Sequence, residues 1–266
     1  MTELQDHCIL VTGGAGGIGA GIAQAILQQG GHPVLMDRDL QGAQHNAKQL
    51  AQAGLSAKDT DLNVSALACD VTDPASVEQA ITQTLDRYGH IDGLVNNAGI
   101  IQMADAWEAT SDQWQRHFNV NSTGAFNMSQ AVGKHMRDAG QSGAIVNVAS
   151  NCGKVGYANM AAYNASKAAM ISLTRSLAME WAAYNINVNA VCPGGVNTNM
   201  LTGVADWLAP RIDTPADTLL EGMGAAQLGR KIEPIEVGDV VAFLLSKRAL
   251  IIRGQAISVD GGDTPY

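Results

Sequence analysis

Tyr163 and Lys167 stand four residues apart in the run Tyr163-Asn164-Ala165-Ser166-Lys167. At helical spacing they share a face. A free phenol has a pKa near ~10, too high for a base at neutral pH. An ammonium beside it favours the phenolate and lowers that value. The pair is therefore a candidate proton donor and acceptor. Ser150 comes thirteen residues before Tyr163, just past an apolar run. It could bond a substrate oxygen; taken alone it reads as a helix cap or turn residue.

A second cluster lies near the start of the chain. Thr12-Gly13-Gly14-Ala15-Gly16-Gly17-Ile18-Gly19 follows an apolar run and opens a helical one. A turn this tight needs residues that tolerate positive φ and present no Cβ to an approaching ligand. The helix behind it offers unpaired N–H groups and positive potential to a pyrophosphate. A glycine-rich stretch alone reads as an ordinary turn. Here Asp37 ends the next apolar run, 18 residues after Gly19, where a carboxylate can accept bonds from an adenosine ribose diol. Asp37 would repel a 2′-phosphate, and the glycine turn has no Lys or Arg to offset it. This charge balance predicts NAD rather than NADP. Arg38 is the one nearby cation able to swing toward a phosphate.

Short apolar runs alternate with helical patterns along the chain. Strands are expected at His7–Thr12, His32–Asp37, 64–69, Ile91–Asn96, Ala144–Ala149, Ile186–Cys192 and Gln255–Val259. Helices are expected at Gly17–Gln29, 40–53, Pro74–Tyr88, Ser111–Asp138, Ala161–Ala183 and 234–246. Strands that read as apolar runs, without alternation, are covered on both faces. The pattern predicts an α/β fold: one Rossmann-type, doubly wound parallel sheet with helices on both faces. No linker or repeat divides the chain, so residues 1–266 are read as a single dinucleotide-binding and catalytic domain. Residues 197–233 lack sustained periodicity and carry Pro210 and Pro215. They are expected to be a substrate loop, whose part 197–220 is mobile until it closes over the site.

Composition narrows the classes. Hydrophobic residues make up 46% and charged residues 15%, against a usual charged share of ~25%. That excludes disorder and leaves surface to hide in an oligomer. A net charge of −9 without a basic cluster argues against nucleic acid. The four cysteines and six histidines show no metal-ligand spacing, so no metal and no disulfide framework is expected. Cys152 is expected to be a pocket wall or buried thiol, since no His lies nearby in sequence. His117 and His135 are expected at the surface or an interface. No apolar run of ~18 residues and no leader-like segment is seen, which predicts a cytoplasmic protein away from the membrane.

Taken together the residues carry a resemblance. The turn Thr12–Gly19, Asn96-Asn97-Ala98-Gly99, Asn121, Ser150, Tyr163-x-x-x-Lys167 and Pro193-Gly194 occur in the order seen in short-chain dehydrogenases/reductases. Cys69-Asp70-Val71 and Val259-Asp260-Gly261-Gly262 match as well, so the likeness spans almost the whole chain. It implies that Tyr163 is the general acid/base and that Ser150 holds the substrate oxygen. It implies that Lys167 bonds the nicotinamide ribose and lowers the Tyr163 pKa, and that Asn121 interrupts the long helix and holds a water linking Lys167 to solvent. It places Gly13, Gly17, Ile18, Gly19 and Asp37 along the dinucleotide, Asp70 and Val71 near the adenine, Asn97 and Gly99 along the ribose, and Val196 and Thr198 near the nicotinamide. Substrate would meet Ser150, Asn151, Cys152, Tyr157 and Tyr163, with Asn159, Met200, Leu201, Trp207 and Leu208 around it. The family commonly pairs its long helices, which implies a homotetramer. Arg253-Gly254 departs from the family's usual small or hydroxyl residue before that glycine.

The resulting expectation is hydride transfer between NAD(H) and a small secondary alcohol or ketone, such as a polyol or sugar. An NADPH-dependent 3-ketoacyl reductase is the alternative. A non-catalytic dinucleotide-sensing module on the same fold is a further one.

Overall fold

A computed structural model of the chain describes residues 3–53 and 64–264. Seven strands form one parallel sheet: β1 (Cys8–Thr12), β2 (His32–Asp37), β3 (Ser65–Ala68), β4 (Gly93–Asn96), β5 (Gly143–Val148), β6 (Ile186–Pro193) and β7 (Ala256–Val259). Their order is β3-β2-β1-β4-β5-β6-β7. The chain winds outward from β1 to β3, then crosses back to lay β4 on the other side of β1. That reversal opens a crevice beyond the carboxyl ends of β1 and β4, the place where such sheets take ligands.

Helices cover both faces: α1 (Gly17–Gln28), α2 (Leu40–Gln52), α3 (Pro74–Tyr88), α4 (Ser111–Phe118), α5 (Gly124–Asp138), α6 (Ala161–Glu180), α7 (Asn199–Leu208), α8 (Ala216–Gly222) and α9 (Pro234–Leu245). Local chemistry sets several ends. Asp73 caps α3 by accepting from Ala75 N, with Pro74 in the first turn, and Gly89 ends it at φ 77°. Thr110 and Gln113 make a reciprocal capping box on α4.

All of β1 is buried and its side chains alternate between two cores. Ile9 and Val11 pack with Ile22, Ile26, Val237 and Val241. Cys8 and Leu10 pack with Leu94, Met128, Val132, Ile145 and Leu177. This two-sided burial is why the strands lack a polar face in sequence. α1 and α9 touch backbone to backbone, and a Cβ on Gly238 would run into the Gly21 carbonyl.

Two expectations are corrected. The helix read over Ser111–Asp138 is interrupted by a π turn at Asn119–Thr123, centred on Asn121, as the resemblance implies. The segment 197–233 is not an irregular loop, since it contains α7 and α8. Met200, Leu201, Val204 and Leu208 do fall at helical spacing, but Gly203, Pro210 and Pro215 cut the pattern into pieces too short to read with assurance. Among the described residues no helix is long and apolar enough to cross a membrane.

Candidate active site

The glycine turn is shaped by close approach. Gly13 adopts φ +68°, and a Cβ there would lie 2.8 Å from Asn97 Nδ2. That amide donates to the carbonyls of Thr12 and Gly13 at 2.9 and 3.1 Å, tying the end of β1 to the end of β4. Gly19 is buried inside the turn rather than along the crevice, and a Cβ on it would meet the Gly13 carbonyl. Gly16 instead has open space where a Cβ would stand, and Gly17 sits at φ +56° at the start of α1. A backbone cradle without side chains, closed by a helix N-terminus, fits a pyrophosphate.

Asp37 stands at the end of β2 beside this cradle. Its Oδ2 accepts from Ala15 N at 3.1 Å and its Oδ1 from Asp39 N at 3.0 Å. The carboxylate is fixed and keeps lone pairs for a ligand. Gly13, Asp37, Arg38, Asp70, Val71 and Gly99 line one cavity of about 590 Å³. Hydrogen bonds from Thr72 hold the Asp70 carboxyl below its ordinary range. Val71 is buried against Gly124, and its carbonyl accepts from Asn127 Nδ2. An adjoining cavity of about 540 Å³ runs past Gly17, Ile18, Asn97 and Gly99 to Tyr163, Lys167 and Thr198. Together they make a groove that could hold a dinucleotide from adenine to nicotinamide.

Tyr163 and Lys167 lie in the first two turns of α6, both buried. Ser150 follows β5 directly opposite. Its Oγ accepts from Cys152 N at 3.1 Å, so it caps a short turn as well as facing the crevice. Burial pushes the Tyr163 hydroxyl above its ordinary range, and a hydrogen bond with Ser150 acts the other way. The expectation that Lys167 lowers the phenol is not met in this arrangement, where Ser150 is the group that lowers it. Lys167 Nζ lies 5.8 Å from the Tyr163 ring centroid and donates to Val148 O at 2.8 Å. The ammonium itself is brought down to about 8 by burial.

Asn121 is fully buried. Its Oδ1 accepts from Ile100 N at 2.8 Å, and its Nδ2 donates to Ile100 O and Ser166 Oγ, both at 3.0 Å. The side chain is thus engaged in holding the segment after β4 against α6. Its oxygen and Lys167 Nζ both approach Gly99 so closely that a Cβ there would lie 3.4 Å from each. His117 requires correction: it is 1% exposed, not a surface residue. It occupies the inner face of α4, edge-on to the Tyr163 ring at 6.5 Å. Nε2 accepts from Gln102 N at 3.0 Å, and Nδ1 donates to Gln113 O at 2.7 Å. Both nitrogens are satisfied by a neutral ring. Nothing in a lone His on an amphipathic helix announces this role; it depends on how α4 packs on α6.

Past Tyr163 the groove opens into a third cavity of about 540 Å³. Ser150, Asn151, Cys152, Tyr157 and Asn159 line one side, as expected. Met200, Leu201 and Leu208 of α7 line the other, and Val196 and Thr198 close the end toward the dinucleotide groove. Trp207 does not reach it: this side chain faces a separate groove with Gln102 and Gln113. Asn151 Nδ2 donates to the Tyr157 hydroxyl at 3.1 Å. The Cys152 thiol is pushed up by burial, which leaves it a neutral part of the wall. Ile101, Met103, Met160 and Asp263 also line the cavity, and sequence reasoning did not single them out. Ile101 and Met103 follow Asn96–Gly99 closely enough to have been found by continuing that segment. Asp263 comes from the chain end and needed the fold.

The buried ammonium has a measurable consequence. Below pH 8 folding must desolvate the Lys167 charge. Between about 8 and the ordinary 10.5 the unfolded chain still binds a proton that the folded chain has released. The contribution of Lys167 therefore makes stability rise with pH across that window. Lys167→Met has no such proton. At neutral pH it should gain up to about 3 kcal/mol from removing the charge, less its lost bond to Val148. That advantage should shrink as pH climbs through the window. Tyr163 and the thiols of Cys8 and Cys69 titrate alike in both proteins and cancel. Cys152 and Cys192 lose the Lys167 charge that lowers them, but burial raises both thiols, so they stay neutral through the lower part of the window, where the comparison reads Lys167. Urea unfolding of the two proteins along a pH series reads the difference, and a gap that stays constant with pH contradicts the assignment.

Known proteins resemble this chain in sequence and in fold. The family model described as short chain dehydrogenase matches residues 7–209. The chain is similar to a 2-(S)-hydroxypropyl-CoM dehydrogenase of Xanthobacter autotrophicus, 37% identical with 98% of each chain covered. It is also similar to a sorbitol dehydrogenase of Cereibacter sphaeroides, at 36% identity and the same coverage. Among solved structures, an actinorhodin polyketide ketoreductase with NADPH superposes with a TM-score of 0.91 at 32% identity, covering 98% of each chain.

Proposed function

We propose, for a chain that belongs to the short-chain dehydrogenase family, that it transfers a hydride between NAD(H) and a small secondary alcohol or ketone, a polyol or sugar being the favoured class. The family makes it an oxidoreductase that uses a nicotinamide dinucleotide; the choice of NAD and the substrate are our reading. One observation carries it. Tyr163, Ser150 and Lys167 meet where a glycine-lined groove opens into a cavity with one polar and one apolar wall.

In this reading the groove past Gly13, Gly17, Asp37 and Lys167 would hold the dinucleotide, which would supply the hydride chemistry. Ser150 Oγ holds the substrate oxygen and supports the charge that develops on it. Tyr163 accepts the alcohol proton during oxidation and returns it during reduction. Lys167 holds the ribose and keeps positive charge near the phenol. Asn121 and His117 act through position, the first by fixing Ile100 and the second by packing on the Tyr163 ring. A homotetramer in the cytoplasm remains part of the reading, supported by the low charged fraction and exposed apolar groups such as Trp107 and Ile251.

NADPH-linked ketoacyl reduction is favoured by two observations: Arg38 beside Asp37, and the NADPH named with a close structural relative. The fixed Asp37 carboxylate weighs against it. Incubating the protein with NAD or NADP and a panel of polyols, sugars, simple alcohols and hydroxy acids, read by nicotinamide absorbance, separates the two. We expect NADH to form with a polyhydroxylated substrate. Preferential turnover of a 3-ketoacyl thioester with NADPH would replace this reading by the other.

A further inference from the structure

After β7 the chain reverses through Gly261 and Gly262, at φ +62° and +88°. Asp260 clamps this turn, accepting from Gly262 N at 3.1 Å and Thr264 N at 3.0 Å. The turn delivers Asp263 to the wall of the third cavity, the one that contains Ser150 and Tyr163. Asp263 Oδ1 accepts from Ala226 N at 2.6 Å, which fixes the carboxylate. Its other oxygen sits against Gly194, where a Cβ would lie 3.1 Å away. The absent side chain at 194 leaves room for Asp260, whose Cβ would lie 2.9 Å from a Cβ there, and for this carboxylate oxygen. Among the described residues no Lys, Arg or His lines this cavity. Asp263 is therefore the one charged residue among those described in its wall, with the Lys167 ammonium lying behind Tyr163 on the dinucleotide side.

We propose, resting on the reading of the site as an alcohol dehydrogenase's, that Asp263 determines substrate class: it accepts a hydrogen bond from a second hydroxyl of the alcohol, away from the reacting carbon, and turns away substrates bearing a carboxylate, sulfonate or phosphate.

The chemistry follows from the donor inventory. A carboxylate only accepts, and with Oδ1 engaged by Ala226 N, a ligand that removes water from Oδ2 must bring a donor or leave that oxygen without one. The apolar side chains of the same cavity, Ile101, Met103, Met160, Leu201 and Val204, offer none. A substrate with a distal hydroxyl satisfies Asp263; its analogue without that hydroxyl does not, and sites built this way discriminate strongly. An anionic substrate meets like charge at Asp263. Burial raises the Tyr157 phenol above its ordinary range, with Cys152 and then the fields of Asp263 and Asp260 adding to it, so the hydroxyl stays protonated and able to donate. Tyr157 and Asp263 thus provide a donor and an acceptor for a hydroxylated chain.

The test compares binding to the NADH-loaded protein by calorimetry, using hexan-2-ol, the hexanediols that share its carbinol, and 5-hydroxyhexanoate. For the wild type, the best diol should bind at least about tenfold more tightly than hexan-2-ol, the size of one charge-assisted hydrogen bond. In Asp263→Leu that ratio should fall to about one. Asp263→Asn keeps an acceptor for Ala226 N and removes only the charge, so 5-hydroxyhexanoate should gain about tenfold or more. If both variants retain the wild-type ratio and still refuse the anion, the proposal is wrong. Should Asp263→Leu fail to fold, the anion's affinity for Asp263→Asn decides alone. Turnover is followed in parallel. Oxidation of none of these alcohols, nor of any polyol, would remove the dehydrogenase reading while the binding ratios still judge Asp263.

Discussion

Tyr163→Phe should lower turnover by about 10³-fold or more, within the range general acid–base groups supply, while leaving NADH affinity within about twofold. The ring is buried on α6 with His117 edge-on to it, and phenylalanine fills the same space. What is lost is the hydroxyl and its bond to Ser150, a change of about 1 kcal/mol in stability. The pH dependence should separate chemistry from packing. Burial holds the phenol above its ordinary range, so Tyr163 is protonated at neutral pH and suited to donate to a ketone. Alcohol oxidation needs the opposite form and should accelerate as pH rises, whereas residual activity of the Phe variant should lack that dependence. Steady-state rates in both directions across pH, with NADH binding followed by fluorescence, check this. Residual activity within tenfold of the parent would take the proton-transfer role away from Tyr163.

Those residues were legible because their chemistry is local. Tyr163 and Lys167 share one helix turn, and the glycine turn lies between a strand and a helix adjacent in sequence. The apolar strand runs gave the parallel sheet for a similar reason: burial on both faces is written into each strand separately. Contacts between distant segments were less accessible. His117 turns inward because Gln102 N and the Tyr163 ring lie beneath it, residues from two other elements. Asp263 enters the cavity only because β7 ends beside β6, and Gly194 makes room for it. Gly19 reads as a ligand-contacting glycine in the motif, yet it is there to accommodate the Gly13 carbonyl. In α7 the apolar spacing was present, but Gly203 and the nearby prolines concealed it. What sequence patterns omit is the direction in which a side chain points once two remote elements have packed.

Asp37 is where a single local charge should have the second large effect. Asp37→Ala should weaken NAD about tenfold to a hundredfold, the worth of one or two charge-assisted hydrogen bonds, and should improve NADP by removing a repelling carboxylate. Two contributions to that loss must be separated, because Asp37 also accepts from Ala15 N and Asp39 N and so shapes the turn itself. Asp37→Asn keeps one carbonyl acceptor and abolishes the charge. If repulsion governs the choice of dinucleotide, the Asn variant should gain NADP affinity much as the Ala variant does. If the shape of the turn governs it, Asn should resemble the wild type. Arg38 supplies the counter-experiment: it lines the same cavity, and once Asp37 is neutral its guanidinium is the cation available to a 2′-phosphate. Arg38→Ala added to Asp37→Ala should therefore cancel much of the NADP gain without changing the NAD loss. Dissociation constants for both dinucleotides across the four proteins resolve these terms. An unmodified protein that binds NADPH more tightly than NADH would show that Arg38, and not the carboxylate at the end of β2, sets the preference.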